Sequence, residues 1–233
     1  METKTDFTQR ITLHRHSQTD ELADELFRLV DARTDWTQPQ TWLLSGGRSP
    51  GAFFERVVAS GRDLSKLTLF PTDERLVPKT DDRSNYKLLV DHFLKTDLPP
   101  ERRPTVCVFY DTRLNRAANN RLLRQQIDHL PPVTLALMGI GDDGHTASLF
   151  PHKPQNELPD DWIYATYDSG DQLERISFGR TFFNRADYMA FFCPGPEKSD
   201  TLERVLHGAY QPDAYPVQWF FQHFPHRMDL FCA

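Results

Sequence analysis

Short apolar runs alternate with helical segments along most of this chain, and that alternation limits the folds open to it. Segments with apolar residues at helical spacing, such as Leu22 to Val30, lie between runs that have the length and composition of buried strands. The runs are TWLL, KLTLF, TVCVF and VTLALMGI. Strands and helices in turn favour a sheet covered on both faces. The sequence therefore predicts an α/β fold, namely a three-layer, mostly parallel open sheet with helices on both faces (Rossmann-like).

Local signals set the expected element boundaries. Ser17 and Asp20 resemble a box that opens the first helix, and Pro50 opens the second. Further helices are expected from Ser84 through Lys95, near Leu114 to His129, and over KSDTLERVLHG, ending at Gly208. After Pro151 the strand-like runs are WIYATYD, RISFGRTF, YMAFFC and MDLFC.

Length, composition and charge narrow the class of protein. With 233 residues, 39% hydrophobic and 26% charged, the chain can bury a core, and we expect one domain over residues 1–233. A net charge of −6 without a long basic block argues against a nucleic-acid partner. The polar N-terminus and the lack of a long apolar run predict a cytoplasmic protein that does not contact membranes. The three separated cysteines are read as buried apolar side chains of a reducing compartment.

Three polar loops follow predicted strands: SGGRSP, PTDERLVP and GIGDDGHTAS. In an open parallel sheet such loops converge outside the carboxyl ends of the strands, where helix N-termini also point their free N–H groups. We therefore expect a site for a small anionic ligand that carries phosphate.

The first loop has two interpretations. Gly46 and Gly47 allow a sharp turn, while Ser45, Arg48 and Ser49 supply hydroxyl and guanidinium donors next to a helix start. This is the outline of a phosphate cradle, but a tight turn into a proline-started helix explains the same residues equally well. The loop lacks the spacing of a nucleoside-triphosphate loop, and GIGDDG does not fit the dinucleotide pattern.

The other two loops also have structural and functional interpretations. Asp73, Glu74 and Arg75 are either a solvated loop with local ion pairs or part of a crevice that the start of the next helix, SNY, also reaches. His145 is either an ordinary helix-start residue or a catalytic base, since imidazole titrates near neutral pH. We take it as the strongest catalytic candidate among the nine histidines.

Other chemistries lack support in the sequence. His14 with His16, and His223 with His226, have no cysteine or carboxylate partner at a recognised ligand spacing, so no metal site is predicted. The chain also lacks the Gly-x-Ser-x-Gly elbow of serine hydrolases.

The blocks LSGGRSP, DERLVPKTDDRSNY and GIGDDGHTASLFP, together with ERISF and GPEKSDTLERVLHG, resemble the 6-phosphogluconolactonase family, within the larger group that includes glucosamine-6-phosphate isomerases and deaminases. The resemblance implies hydrolysis of 6-phospho-D-glucono-1,5-lactone to 6-phosphogluconate in the pentose phosphate pathway, without cofactor or metal. It implies a small-molecule sugar-phosphate substrate; for the assembly we expect a monomer or a weak homodimer. Arg48 and Ser49 replace the serine and threonine of many relatives, and GRTFFNRAD departs from the apolar family pattern.

Roles for individual residues follow from the resemblance. His145 is expected to act as general base, and Asp143 either orients the imidazole or binds sugar hydroxyls. The phosphate is expected to lie among Arg75, Arg175 and Lys198, with Gly47, Arg48 and Ser49 as loop donors. Asp73 is expected to accept hydrogen bonds from substrate hydroxyls or to hold Arg75.

Two alternatives remain open. Glucosamine-6-phosphate deaminases share the three loops, but they carry a glutamate after the histidine segment where this chain has the apolar Leu149 and Phe150. A non-catalytic sugar-phosphate-binding protein would need neither Asp143 nor His145.

Overall fold

The computed structural model describes residues 7–153, 161–166 and 172–233. Ten strands and seven α-helices lie in these ranges. In chain order they are β1 (Ile11–Arg15), α1 (Thr19–Arg33), β2 (Gln40–Leu44), α2 (Gly51–Ala59), β3 (Leu67–Pro71), β4 (Asp73–Arg75), α3 (Asn85–Phe93), β5 (Thr105–Val106), α4 (Arg116–Asp128), β6 (Val133–Met138), β7 (Trp162–Thr166), β8 (Glu174–Phe178), α5 (Arg180–Phe183), β9 (Tyr188–Cys193), α6 (Ser199–His207), α7 (Val217–His223) and β10 (Met228–Cys232).

Seven strands form one sheet in the order β1-β10-β9-β6-β2-β3-β5, and every neighbouring pair is parallel. Successive residues of the central strands point to opposite faces: Leu43 packs in one buried cluster, whereas Trp42 and Leu44 pack in the other. The first cluster includes residues of α4, α6 and α7, and the second includes residues of α1, α2 and α3. The predicted α/β sheet with helices on both faces is confirmed.

A second, three-stranded antiparallel sheet has the order β4-β8-β7. Its β4 contains Asp73, Glu74 and Arg75, so this part of the predicted polar loop is a strand. In its register Arg75 stands opposite Arg175, and Asp73 stands opposite Ser177. The strand predicted over RISFGRTF ends at Phe178, and the residues after Gly179 form α5. In WIYATYD, the last two residues lie outside the described ranges.

Several predicted boundaries are confirmed and others are wrong. Ser84 caps α3, its hydroxyl accepting a hydrogen bond from Lys87 N at 3.2 Å, and Gly208 ends α6. The predicted Ser17 box is wrong, because α1 begins after Gln18 without a side-chain cap. Strand β1 and helix α7 were not predicted. The single domain over residues 1–233 stays a prediction.

The order of the strands decides where the polar loops meet. Strand β2 lies between β3 and β6, so the chain leaves β2 on one side and later returns to its other side. Such a reversal point opens a crevice at the carboxyl ends of the strands. The loops after β9, β6, β2 and β3 therefore share one edge of the sheet. No helix in the described part of the chain combines the length and apolar character needed to cross a membrane.

Candidate active site

A cleft of about 350 Å³ opens at this edge. The predicted site residues that line it are Ser45, Gly46, Gly47, Ser49, Asp73, Arg75, His145, Arg175 and Lys198. Two predicted residues do not line it: Arg48 is exposed in a neighbouring depression, and Asp143 lies behind His145, to which it is hydrogen-bonded. Residues from three loops and from strands β4 and β8 thus surround one volume of the size of a small-ligand site.

The glycine loop after β2 approaches the neighbouring loop very closely. A Cβ atom on Gly46 would lie 2.0 Å from Asn85 Oδ1, so only glycine fits at this position. Gly47 has a φ of +84°, which favours glycine for a different reason. After the turn, Ser49 and Pro50 line the cleft and α2 begins at Gly51. The loop therefore presents a helix N-terminus to the cleft, where its partial positive charge favours an anion.

The acidic residues after β3 are buried, so they are not a solvated loop. Asp73 is 6% exposed and Glu74 is 2% exposed. Glu74 accepts hydrogen bonds from the backbone N–H groups of Asn85 and Tyr86, both at 2.7 Å, and so caps the N-terminus of α3. Burial raises the pKa of Glu74 above its ordinary value, and these hydrogen bonds oppose that rise. Its role is to fix α3 against β4.

Asn85 connects the glycine loop to β4. Its Nδ2 donates to the backbone oxygen of Asp73 at 2.8 Å and to Asp73 Oδ1 at 3.2 Å. Its Oδ1 accepts from Arg75 at 3.1 Å, and Arg75 also donates to the backbone oxygen of Arg83 at 2.8 Å. The sequence indicated only that SNY starts a helix near the crevice. One expectation was that Asp73 itself holds Arg75. The structure instead connects the two residues through Asn85.

Two arginines stand opposite each other in the small sheet. Arg75 and Arg175 are register partners on β4 and β8, and both line the cleft. Arg175 is 8% exposed, lies 3.9 Å from Asp73 Oδ2 and stands over the Phe150 ring at 5.7 Å. Like charges opposite each other in a sheet destabilise it. An anionic ligand between them would relieve that repulsion.

The loop after β6 holds the histidine. His145 Nδ1 lies 2.6 Å from Asp143 Oδ1, and the His145 backbone N–H donates to the same oxygen at 3.0 Å. Gly141 N donates to His145 O at 2.8 Å, which closes the loop. A Cβ on Gly141 would lie 2.1 Å from the imidazole, so this glycine makes room for the ring. No helix starts at His145, so the interpretation as a helix-start residue is wrong: residues 139–150 consist of turns, irregular segments and a β-bridge between Thr146 and Leu149.

Asp143 stays ionised down to strongly acid pH. Burial alone would raise the pKa of Asp143, but hydrogen bonds and the charge of His145 outweigh it and lower that pKa to about 2. A carboxylate acceptor at Nδ1 directs the proton of a neutral ring to Nδ1, and the lone pair then lies on Nε2. Asp143 therefore selects the tautomer in which Nε2 is basic.

Two serines and an aromatic ring hold the histidine loop in place through hydrogen bonds and a ring contact. Ser148, fully buried, donates its hydroxyl to Asp73 Oδ2, and its N–H donates to Ser177 Oγ at 3.3 Å. The Phe150 ring contacts the His145 ring edge-to-face at 5.1 Å. These contacts tie the histidine loop to the antiparallel sheet that carries both arginines. No sequence signal had singled out Ser148.

Lys198 enters the cleft from a short 3-10 helix, Pro196–Lys198, that follows β9. Its ammonium group donates to the carboxylate of Asp142, in the histidine loop. Cys193 also lines the cleft, but burial raises the pKa of its thiol to about 12, so it offers no thiolate at neutral pH. The described residues include no group of three or more His, Cys, Asp or Glu side chains arranged to hold a metal ion.

Comparisons with known proteins identify the family of this chain. The family model for glucosamine-6-phosphate isomerases/6-phosphogluconolactonase matches residues 14–228. A 6-phosphogluconolactonase of Pseudomonas putida is 35% identical over 172 residues, which cover 71% of this chain and 69% of that protein. The structure of a 6-phosphogluconolactonase from Shewanella baltica covers 95% of this chain and 96% of its own, with a TM-score of 0.81 and 18% identity.

The fold alone does not separate the two activities of the family. A monomeric glucosamine-6-phosphate deaminase covers 96% of this chain and 97% of its own, with a TM-score of 0.76 and 16% identity. Sequence identity separates them better, since curated relatives at 30% identity or more over about three quarters of the chain are also 6-phosphogluconolactonases. The chain therefore belongs to the 6-phosphogluconolactonase family of carboxylic ester hydrolases, within the group of glucosamine-6-phosphate isomerases and 6-phosphogluconolactonases.

Proposed function

We propose that this protein hydrolyses 6-phospho-D-glucono-1,5-lactone to 6-phosphogluconate, with His145 as general base, as a step of the pentose phosphate pathway. The observation that carries the proposal is the cleft itself, where a carboxylate-oriented imidazole and several cationic side chains line one small volume. The lactonases among the curated relatives support the choice of substrate.

The cationic side of the cleft binds the phosphate in this proposal. Arg75 and Arg175 are register partners and both line the cleft, and we assign the phosphate a position where it accepts from both guanidinium groups. Lys198 and the N-terminus of α2 at Ser49 add further donors. Arg48 is exposed in the neighbouring depression, so we assign it a weaker, long-range attraction rather than a direct contact.

The imidazole then acts on water. His145 Nε2 removes a proton as the water oxygen bonds to C1 of the lactone, and a tetrahedral intermediate forms. As the C1–O5 bond breaks, the same proton passes to O5, which becomes the C5 hydroxyl. General-base help of this kind accounts for about 10² to 10⁴ in rate, and the anchored phosphate contributes by fixing the lactone near the water.

We assign different roles to Asp143 and Asp73. The contact of Asp143 with Nδ1 supports the orienting role over direct binding of sugar hydroxyls. Asp73 already accepts from Asn85 and Ser148 and lies close to Arg175, so we assign it to positioning of Arg175.

Deamination of glucosamine 6-phosphate is the second candidate, because the fold is shared. Leu149 and Phe150 are buried at 0% and 2% exposure, and an apolar side chain next to the histidine cannot relay a proton. This favours the lactonase. A binding protein without activity would gain nothing from the His145–Asp143 pair.

One assay compares the three functions. The purified chain is mixed with freshly prepared phosphogluconolactone in a pH-stat, and acid release is measured after subtraction of spontaneous hydrolysis. We expect catalysed acid release that EDTA does not reduce, and no ammonia from glucosamine 6-phosphate. Ammonia release would favour the deaminase, and phosphogluconate binding without turnover would favour the binding protein.

Cytoplasmic location and a monomeric or weakly dimeric state complete the proposal. Light scattering across a concentration series tests the second point, with a mass near the 27.1 kDa of one chain expected at low concentration.

A further inference from the structure

A cation and a carboxylate neutralise each other within the cleft. Lys198, from the 3-10 helix after β9, donates to Asp142, from the loop after β6. Both residues line the cleft. The Lys198 side chain is 21% exposed and that of Asp142 is 79% exposed. The lysine that we assign to the phosphate therefore already has an anionic partner.

Helix α6 holds Asp142 in this place. Thr201 Oγ1 donates to the backbone oxygen of Asp142 at 2.7 Å, and Arg204 donates to the same oxygen at 3.3 Å. Arg204 also donates to Thr201 Oγ1 at 2.9 Å, which locks the arrangement. Because its backbone is fixed, the Asp142 carboxylate stays within reach of Lys198. The next residue, Asp143, contacts His145 instead, so two adjacent carboxylates have two different partners.

We propose that Asp142 is a specificity-determining residue that weakens the binding of sugar-phosphate anions by competing for Lys198. The proposal rests on the proposed function, in which Lys198 contacts the phosphate. A phosphate of charge about −1.5 to −2 must displace the carboxylate from the ammonium group. The displaced carboxylate remains nearby and repels the phosphate.

The competition acts on substrate and product alike, because both carry the phosphate. Its charge does not change during the reaction, so Asp142 affects ground state and transition state equally, and the effect falls on KM.

The test replaces Asp142 by Asn, which removes the charge and keeps the size. We expect the KM for phosphogluconolactone and the inhibition constant of 6-phosphogluconate to fall by about two- to fivefold, as for one partly exposed charge pair. The effect should shrink in 1 M salt, where the Debye length is about 3 Å. With glucono-1,5-lactone, which has no phosphate, KM should not change.

Two further variants make the result specific. Asp200→Asn removes an equal charge from the exposed first turn of α6 and should leave the KM unchanged. In a Lys198→Met background, Asp142→Asn should lose its effect, because the two changes are coupled through one contact. Thermal melting verifies folding, and Asp142→Ser serves as a second charge-removing variant.

The outcomes separate this inference from the proposed function. If the wild-type protein shows no lactonase turnover, the proposed function is refuted. The role of Asp142 is then tested by calorimetric titration, which compares the affinity of the wild type and of Asp142→Asn for 6-phosphogluconate. A KM or binding constant that is unchanged or weaker in Asp142→Asn overturns the inference. An equal change with the unphosphorylated lactone also overturns it, because Asp142 would then act on the cleft as a whole.

Discussion

Two histidines of this protein contact carboxylates at similar distances, one in the cleft and one at the edge of the sheet. In the cleft, His145 Nδ1 lies 2.6 Å from Asp143, and the ring lines the ligand volume. On edge strand β1, His14 Nδ1 lies 2.9 Å from Glu25 of α1, and Nε2 lies 2.7 Å from Asp229 of β10. The same pair of groups thus occurs in two settings.

The surroundings of each ring separate the two roles. Both nitrogens of His14 face carboxylates, its ring stacks on Phe231 at 4.4 Å, and Asp229 also accepts from Tyr188 at 2.8 Å. This network joins the edge strand to α1 and to the next two strands, so His14 contributes to stability. His145 contacts Asp143 through Nδ1 and lines the cleft, and our proposal assigns its chemistry to Nε2. A histidine–carboxylate distance by itself therefore does not identify a base.

The largest expected effect distinguishes the two histidines by activity. His145→Ala should lower kcat/KM for phosphogluconolactone by about 10² to 10⁴, because the general base is lost. Isothermal titration should show that 6-phosphogluconate still binds. The matched variant His14→Gln should keep kcat/KM within about twofold, since His14 lies outside the cleft. Equal losses in both variants would contradict the assignment.

The second effect tests the orientation of the base. Asp143→Asn should lower kcat/KM by at least about tenfold, because the amide holds the imidazole tautomer poorly. The wild-type pKa of Asp143 is about 2, so the carboxylate stays ionised throughout the assay range. Asp143→Asn should melt at nearly the wild-type temperature. A large loss of stability would instead show that the main role of Asp143 is to stabilise the fold.

The third effect is a loss of stability at the sheet edge. His14→Gln should lower the free energy of unfolding by about 1 to 2 kcal/mol, because the partly buried carboxylates of Glu25 and Asp229 each lose a hydrogen-bond partner. His16→Gln is the control, since its ring is 38% exposed although it also contacts Glu25, and it should cost less than about 0.5 kcal/mol. Urea unfolding measures the free energy of unfolding of both variants. Equal losses would show that the buried contacts of His14 add no stability beyond those of an exposed histidine.

The smallest expected effect is a pH dependence of the stability that Glu25 contributes at the same sheet edge. Burial raises the pKa of Glu25, but the hydrogen bonds and charges of His16 and His14 outweigh it, and the pKa lies below its ordinary value of 4.5. A lowered carboxyl pKa contributes stability above that value and loses it as the pH falls through the lowered pKa. The melting temperatures of wild type and Glu25→Gln should therefore converge below about pH 4.5. A gap that widened in acid would contradict this linkage.

The parts of the site that follow strands could be predicted from the sequence. Ser45, Asp73 and His145 come soon after β2, β3 and β6, and apolar runs identified those strands. Because the carboxyl ends of parallel strands lie on one edge, the three loops meet there whenever their strands are neighbours. Glycines at positions 46 and 47 also follow from local rules, since a close approach and a positive φ both require glycine.

Other features depend on contacts between distant residues. Arg75 faces Arg175 because β4 pairs with β8, a hundred residues later, and nothing in DER indicates a strand. Asn85 and Ser148 were missed as links between loops for the same reason, since each acts on a partner brought near by the fold. The Ser17 box failed because a matching pair of residue types does not fix the backbone at the first turn.

The sequence by itself determined the α/β class, the family and the identity of the histidine loop, because these depend on hydrophobic periodicity and on motifs of consecutive residues. The tertiary structure alone decided that Arg48 lies outside the cleft, that Asp142 pairs with Lys198, and that His14 belongs to the edge of the sheet. Those outcomes depend on strand order and register, which bring residues from different parts of the chain into contact, and no local pattern carries that information.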